Sequence, residues 1–239
     1  MVRVAVAGGT GGIGRHIVEG ILETKKHDVI VLSRSANCPQ LETLGAKIIA
    51  VSYDDTSSLI RALSGVHTVI STIFSTDEKL VVAAQLALLD ASIQVGAKRF
   101  APSEFVTRAI PNNPIELYRP KWTVAEAVMR SGLEYTFFEN GLFMNYLASG
   151  KPGIGYLQPL KFLWDVENCT ARVPGDGSAY VVLTRGEDVG KFVGASLDLE
   201  KWPEVSRMRG DRRTLNEVVK LAETVRGKWV MVCSVRYAC

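Results

Sequence analysis

The chain has 239 residues, of which 47% are hydrophobic and 22% charged, with a net charge of +3 and a pI of about 8.6. That length allows one substantial core, or one domain with a smaller lobe. The charge is too mild, and the basic residues too scattered, for a nucleic-acid-binding face.

The first segment, Val2-Arg3-Val4-Ala5-Val6-Ala7, is apolar and alternating and predicts a strand. Gly8-Gly9-Thr10-Gly11-Gly12-Ile13-Gly14-Arg15 follows, and a helix-period stretch runs over residues 13–22. Strand, glycine turn and helix together turn a loose glycine pattern into a dinucleotide-binding signature. The tight turn needs backbone angles that glycine adopts cheaply, and a pyrophosphate must approach the main chain without meeting a Cβ. The free N–H groups and positive dipole end of the helix then hold the phosphate charge. Two registers fit, Gly9-x-Gly11-x-x-Gly14 and Gly8-x-x-Gly11-x-x-Gly14, and both place the site at the same turn.

Further along, residues 28–33 and 46–51 read as buried strands joined by a polar, proline-containing connection. Thr56 is expected to cap a helix ending at Leu63, before Ser64-Gly65. Residues 67–73 predict a fourth strand and residues 77–95 a long helix closed by Gly96. The stretch 80–97 carries Gln85, Asp90 and Gln94, so it reads as a buried helix and not as a membrane span. A fifth strand begins at residues 99–101, a helix with Pro120 in its first turn covers 120–130, and a sixth strand covers 134–138. This alternation predicts an α/β protein, a Rossmann-type doubly wound parallel sheet with a smaller C-terminal substrate lobe. The expected division is residues 1–148 for the NAD(P)-binding Rossmann domain and 149–239 for the lobe, which is interleaved with the sheet.

Beyond residue 148 the pattern loosens. Lys151-Pro152-Gly153-Ile154-Gly155 and Pro174-Gly175-Asp176-Gly177 are turn-rich. Residues 186–199 have helical spacing, with Asp188 read as a structural cap in the first turn. Thr214 and Glu217 form a capping-box pattern opening a helix to residue 225. The cysteines, Cys38, Cys169, Cys233 and Cys239, have no spacing suited to metal ligation or a disulfide framework, which points to a reducing compartment. No secretory signal pattern opens the chain. A cytoplasmic protein is expected, with a small-molecule substrate, no metal, and no nucleic-acid or membrane partner.

The end of the second strand is where this fold reads the adenine ribose. Acidic residues there favour NAD and an arginine favours NADP. Here Ser33-Arg34-Ser35 stands there, with Arg34 twenty positions past Gly14, so NADP(H) is the expected cofactor. Asp54, of the pair Asp54-Asp55 after the third strand, is a candidate for the adenine amino group. The alternative for the pair is the acidic start of a helix. Thr72, in Ser71-Thr72-Ile73-Phe74, would lie beside the nicotinamide ribose.

Conventional short-chain dehydrogenases place a Tyr and a Lys four apart on one helix face. Tyr118-Arg119-Pro120-Lys121 has a spacing of three, interrupted by proline. The chain instead resembles the NmrA-like and isoflavone-reductase-like group of atypical short-chain dehydrogenases. The resemblance rests on the glycine turn, on Lys98-Arg99-Phe100-Ala101-Pro102-Ser103-Glu104-Phe105 and on Lys121. Gly132-Leu133-Glu134-Tyr135-Thr136, Asn140-Gly141-Leu142-Phe143 and Gly186-Glu187-Asp188-Val189-Gly190 extend it, so that it covers about residues 2 to 227. The resemblance implies an NADPH-dependent reductase in which Lys121 binds the nicotinamide ribose and helps to move a proton. Its substrate would be a small aromatic or phenolic carbonyl or activated double bond. Gly8, Thr10, Gly11, Gly12, Ile13, Gly14, Arg34, Asp54, Thr72 and Lys121 are the expected cofactor residues. Ser103, Asn140, Phe143 and Met144 are the expected substrate-pocket residues, although Phe143 and Met144 equally suit a core. The alternative is a redox-sensing regulator that binds NAD(P) and a protein partner without turnover. After residues 226–228 the tail departs from the family pattern, which suggests an altered or truncated C-terminus; a non-catalytic relic is the third reading.

Overall fold

The computed structural model describes residues 1–235 apart from 36, 114, 149, 150, 152 and 153. Pro152 and Gly153 of the expected turn, position 149 at the expected lobe boundary, and Cys239 lie outside the described residues.

The strands β1 (Arg3–Ala7), β2 (Asp28–Ser33), β3 (Lys47–Ala50), β4 (Thr68–Ser71), β5 (Arg99–Ala101) and β6 (Glu134–Tyr135) form one sheet in the order β3-β2-β1-β4-β5-β6. Every pairing in it is parallel. Helices α1 (Gly12–Glu23), α2 (Pro39–Thr43), α3 (Thr56–Leu63), α4 (Glu78–Gln94) and α5 (Arg119–Arg130) make the crossovers. The order reverses between β1 and β4, which opens a crevice outside their carboxyl ends, where such sheets bind ligands.

The period of two in β1 explains the two-sided core. Val4 and Val6 face Ile17, Val18 and Ile21 of α1, while Ala5 and Ala7 face the opposite layer with Leu59, Leu63, Leu88 and Val124. All of these are essentially fully buried.

The later chain adds β7 (Phe137–Glu139), β8 (Leu142–Phe143), β9 (Trp164–Asp165), β10 (Thr170–Pro174) and β11 (Tyr180–Thr184). Then come α6 (Gly186–Ser196), β12 (Val205–Arg207), β13 (Asp211–Thr214), α7 (Leu215–Arg226) and β14 (Met231–Val235). Helix α6 packs on the outer side of α1 so closely that a Cβ on Gly20 would strike the main chain of Gly190. A third apolar cluster, around Trp164, Val173, Leu183, Leu215 and Val218, fills the remaining lobe.

Several expectations are corrected. The sixth strand does not run unbroken to residue 138. β6 pairs with β5, and after Thr136, whose hydroxyl bonds Ser206 at 2.8 Å, the chain hands over to a ladder between β7 and β12. Strand β5 is short and is followed by Pro102, which has no N–H to continue the ladder. Asp55, not Thr56, caps α3, its carboxylate accepting the Ser57 N–H at 2.9 Å. Helix α4 is only half buried, with Leu80 and Ile93 exposed. Asn145, not Asp188, satisfies the start of α6, its Oδ1 accepting the Gly186 N–H at 2.8 Å, and the helix stops at Ser196. The Thr214–Glu217 capping box is present on α7. The tail after residue 228 forms β14, parallel to β10.

Candidate dinucleotide and reductase site

The glycine turn closes at the carboxyl end of β1. Gly8 adopts φ +79°, and its N–H donates to the Leu32 carbonyl at 3.0 Å. Gly14 has no room for a side chain, because a Cβ there would drive into the Gly8 carbonyl and the Thr72 hydroxyl. Gly8 therefore makes the bend and Gly14 seats the helix beneath it. Gly9 is packed too, against Val18, Val31 and Val6. Among the described residues nothing lies within 4 Å of where a Cβ would stand on Gly11 or Gly12, so a ligand can approach there, although the Gly12 N–H is taken by a neighbouring carbonyl. Gly12 also adopts φ +53°. Helix α1 begins there, and its first-turn N–H groups have no intrahelical partner. This open cradle at a helix N-terminus fits a pyrophosphate.

Tyr156 borders the cradle. Its carbonyl accepts the Gly12 N–H at 3.1 Å and its hydroxyl donates to Glu19 at 2.7 Å. The Arg15 guanidinium lies over its ring at 4.0 Å. Its N–H reaches His16 Nε2 at 3.4 Å, and burial holds the His16 pKa below its ordinary value.

Arg34 is exposed at the end of β2 and makes no ion pair or hydrogen bond among the described residues. Tyr53 lies within its electrostatic reach; burial pushes the Tyr53 phenol up to about 12 against the opposing pull of Arg34. Asp54 is exposed, while Asp55 is committed to the α3 cap. Thr72 is buried, and its hydroxyl donates to the Ala7 carbonyl at 2.7 Å. It supports the glycine turn from below.

At the carboxyl end of β5 the chain turns sharply. The Glu104 N–H donates to the Pro102 carbonyl at 2.8 Å, and Phe105 takes φ +40°, a strained angle for a residue with a Cβ. A stack of Phe105 on Phe138, with centroids 5.7 Å apart, holds that strain. Lys121, in the first turn of α5, reaches this loop. Its ammonium donates to the Ser103 carbonyl and, at 2.7 Å, to the Glu104 carbonyl. Burial lowers the Lys121 pKa, opposed by the charge of Glu104. Glu104 is 2% exposed, and burial raises its carboxyl to about 7 despite Lys121 nearby. Its Oε2 has no hydrogen-bond partner among the described residues.

Arg99, from the same motif, points away from this site. Its guanidinium binds the carbonyls of Leu199 and Glu200 at 2.8 and 2.7 Å and ties β5 to the end of α6. Asn140 is fully buried, with its Oδ1 unpartnered among the described residues and its carbonyl accepting from Thr184 at 2.7 Å. Phe143 packs into the main core and edge-on against Tyr146, while Met144 packs on the lobe cluster. A narrow apolar groove lies beside Phe143, lined by Leu142, Tyr146, Leu160 and Trp164. Sequence reasoning gave no role to Tyr146 or Gln85. For Gln85 the sequence showed an amide inside the apolar run of α4, and the structure adds that it is 2% exposed.

A doubly wound sheet, a glycine cradle at its switch point and a lysine held at the exit of its fifth strand define an atypical short-chain dehydrogenase. The sequence matches the NmrA-like family over residues 2–236, and the chain belongs to that family. It is 34% identical to the oxidoreductase BOA1 of Botryotinia fuckeliana (strain B05.10), over 96% of this chain and 78% of that protein. It is 30% identical to the phenylcoumaran benzylic ether reductase PT1 of Pinus taeda, over 92% of this chain and 74% of that protein. The solved structure of AtPrR2 with NADP+ and (+)pinoresinol superposes with a TM-score of 0.76 at 26% identity, covering 98% of this chain and 79% of that one. Among the described residues no helix is long and apolar enough to cross a membrane, and no group of three or more His, Cys, Asp or Glu could hold a metal ion.

Proposed function

We propose that this chain is an NADPH-dependent reductase of the isoflavone-reductase-like type, acting on a small aromatic or phenolic carbonyl or activated double bond. The observation that carries the reading is the Lys121 amine, held on the Ser103 and Glu104 carbonyls at the carboxyl edge of the sheet, with burial depressing its pKa. A relative named a phenylcoumaran benzylic ether reductase, and a solved structure holding NADP+ and (+)pinoresinol, support the substrate class.

The residues present suit the cofactor. The open cradle of Gly11 and Gly12 takes the pyrophosphate, and the unpaired Arg34 guanidinium takes the 2′-phosphate through a planar two-donor fork. Asp54 is exposed where the adenine edge would lie. When bound, NADPH supplies the hydride. Lys121 anchors the nicotinamide ribose and brings a proton to the atom of the substrate on which negative charge develops. A lysine with a lowered pKa gives up that proton more readily near neutral pH than an exposed one does. Residues 1–148 carry the nucleotide and 149–239 close over it, with Asn140, Phe143 and Met144 backing the substrate side from the core.

NADPH oxidation against (+)-pinoresinol and a panel of aromatic enones and ketones, with wild type and Lys121→Ala, tests this. Turnover that Lys121→Ala abolishes while NADPH binding persists supports the reading. Full turnover in Lys121→Ala sinks the catalytic assignment. Tight NADPH binding with no consumption by any member of the panel favours a nucleotide sensor.

A further inference from the structure

Among the described residues the proposed catalytic lysine is held by main-chain oxygens: two hydrogen bonds run from its ammonium to carbonyls of one loop. Such a grip is only as accurate as the loop. Among the described residues, one buried side chain from outside the loop hydrogen-bonds the Ser103 main chain. Gln85 projects from the middle of α4, and its Oε1 accepts the Ser103 N–H at 2.8 Å. One peptide unit further, the Ser103 carbonyl accepts the Lys121 ammonium. The order is therefore Gln85 amide, Ser103 backbone, Lys121 amine, crossing from α4 through the end of β5 to α5.

Burying an amide among Leu88, Leu89 and Ala91 is costly unless its partners are fixed. A helix that merely packed would do better with leucine at this position. The Ser103 N–H, for its part, has passed beyond the last ladder partner of β5 and would otherwise stand without an acceptor.

We propose that Gln85 is a positioning residue for Lys121, fixing the Ser103–Glu104 carbonyl clasp that sets where the amine stands and how it is shielded. This rests on the proposal that Lys121 is the proton donor, and the experiment separates the two. Misplacing a reacting group by about 1 Å can cost on the order of 100-fold in rate, so a looser clasp is costly even where Lys121 itself is intact.

The test uses three full-length variants: Gln85→Leu and Gln85→Met, which remove the acceptor, and Gln85→Glu, which keeps a carbonyl-type acceptor at the same reach. The first readout needs no substrate. Each protein is acylated with a dilute N-hydroxysuccinimide ester from pH 6 to 10, and modification of every lysine is followed by peptide mass spectrometry. Gln85→Leu and Gln85→Met should raise the labelling rate at Lys121 about tenfold and shift its pH midpoint, with Lys79 and Lys98 unchanged and Gln85→Glu, which keeps the acceptor, labelling no faster than wild type. The second readout is kinetic: kcat should fall at least tenfold in the two apolar variants, with the Kd for NADPH within twofold of wild type. Unchanged Lys121 labelling in both apolar variants overturns the proposal. So does a general rise at all lysines that Gln85→Glu fails to reverse, which would make Gln85 a packing residue. If Lys121→Ala keeps its turnover while the labelling result holds, the clasp stands and the catalytic reading of Lys121 falls.

Discussion

Glu104→Gln offers a direct test of how burial has set the charge at this site. Glu104 is enclosed, and its carboxyl titrates at about 7 in the folded protein against a reference of 4.5. The folded state therefore holds a proton that the unfolded chain releases. A group of this kind contributes fully below pH 4.5, and its contribution is lost as pH rises through 7. The difference of about 2.5 pH units corresponds to roughly 3 kcal/mol over the whole titration, and integrating between pH 5 and pH 8 gives about 2.5 kcal/mol. Glutamine keeps the shape and cannot ionise. Urea unfolding followed by tryptophan fluorescence, on both proteins at pH 5, 6, 7 and 8, supplies the stability difference directly. Titrations shared by wild type and variant cancel in that difference. The variant should gain about 2.5 kcal/mol on wild type between pH 5 and pH 8, with most of the gain between 5 and 7. A difference that stays flat within ~0.5 kcal/mol would show that Glu104 is solvated or firmly paired in solution, and would refute the electrostatic account of the Lys121 loop.

Arg34→Ala should weaken NADPH binding by roughly 10- to 100-fold, the worth of a charge-assisted phosphate contact, and leave NADH affinity nearly unchanged in a fluorescence titration. Equal losses for both nucleotides would detach Arg34 from the 2′-phosphate. Gly11→Ala and Gly14→Ala should separate ligand space from packing space. The first, with open surroundings and an extended φ of −154°, should keep the wild-type Tm while losing NADPH affinity. The second should lose both, since its Cβ would strike the Gly8 carbonyl and Thr72. Thr214→Ala breaks the α7 capping box and should lower stability by about 1 kcal/mol in urea titration, with NADPH binding unaffected.

The nucleotide half was legible because its demands are local. The strand at residues 28–33 matched to the residue, since a continuous apolar run between Asp28 and Ser33 marks it without help from the rest of the chain. Asp55 was read only as half of an acidic pair, because both Asp55 and Thr56 are competent caps and the choice depends on which carboxylate meets the Ser57 N–H. The strands from residue 142 onward are two to five residues long, below the length at which alternation carries information, and their partners come from distant sequence. The Arg99-to-Phe105 motif showed its importance in the sequence but not its division of labour. Only packing shows Arg99 fastening α6, Phe105 bearing the strained angle and Glu104 buried behind the lysine. Gln85 lay 18 positions from the loop it fastens, too far for any spacing rule.

The contact between α1 and α6 has a consequence for the order of synthesis. Gly20 and Gly190 touch through their main chains although 170 positions separate them (190 − 20). A ribosome therefore releases the glycine turn, β1 and α1 long before it releases the helix that covers the other side of α1. Until then Ile17 and Ile21 have the sheet beneath them and water beside them, a condition that favours chaperone contact and slow, long-range closure. A fragment ending at residue 148 would stay in that condition permanently. The nucleotide cradle comes early in the chain, and its foundation arrives late.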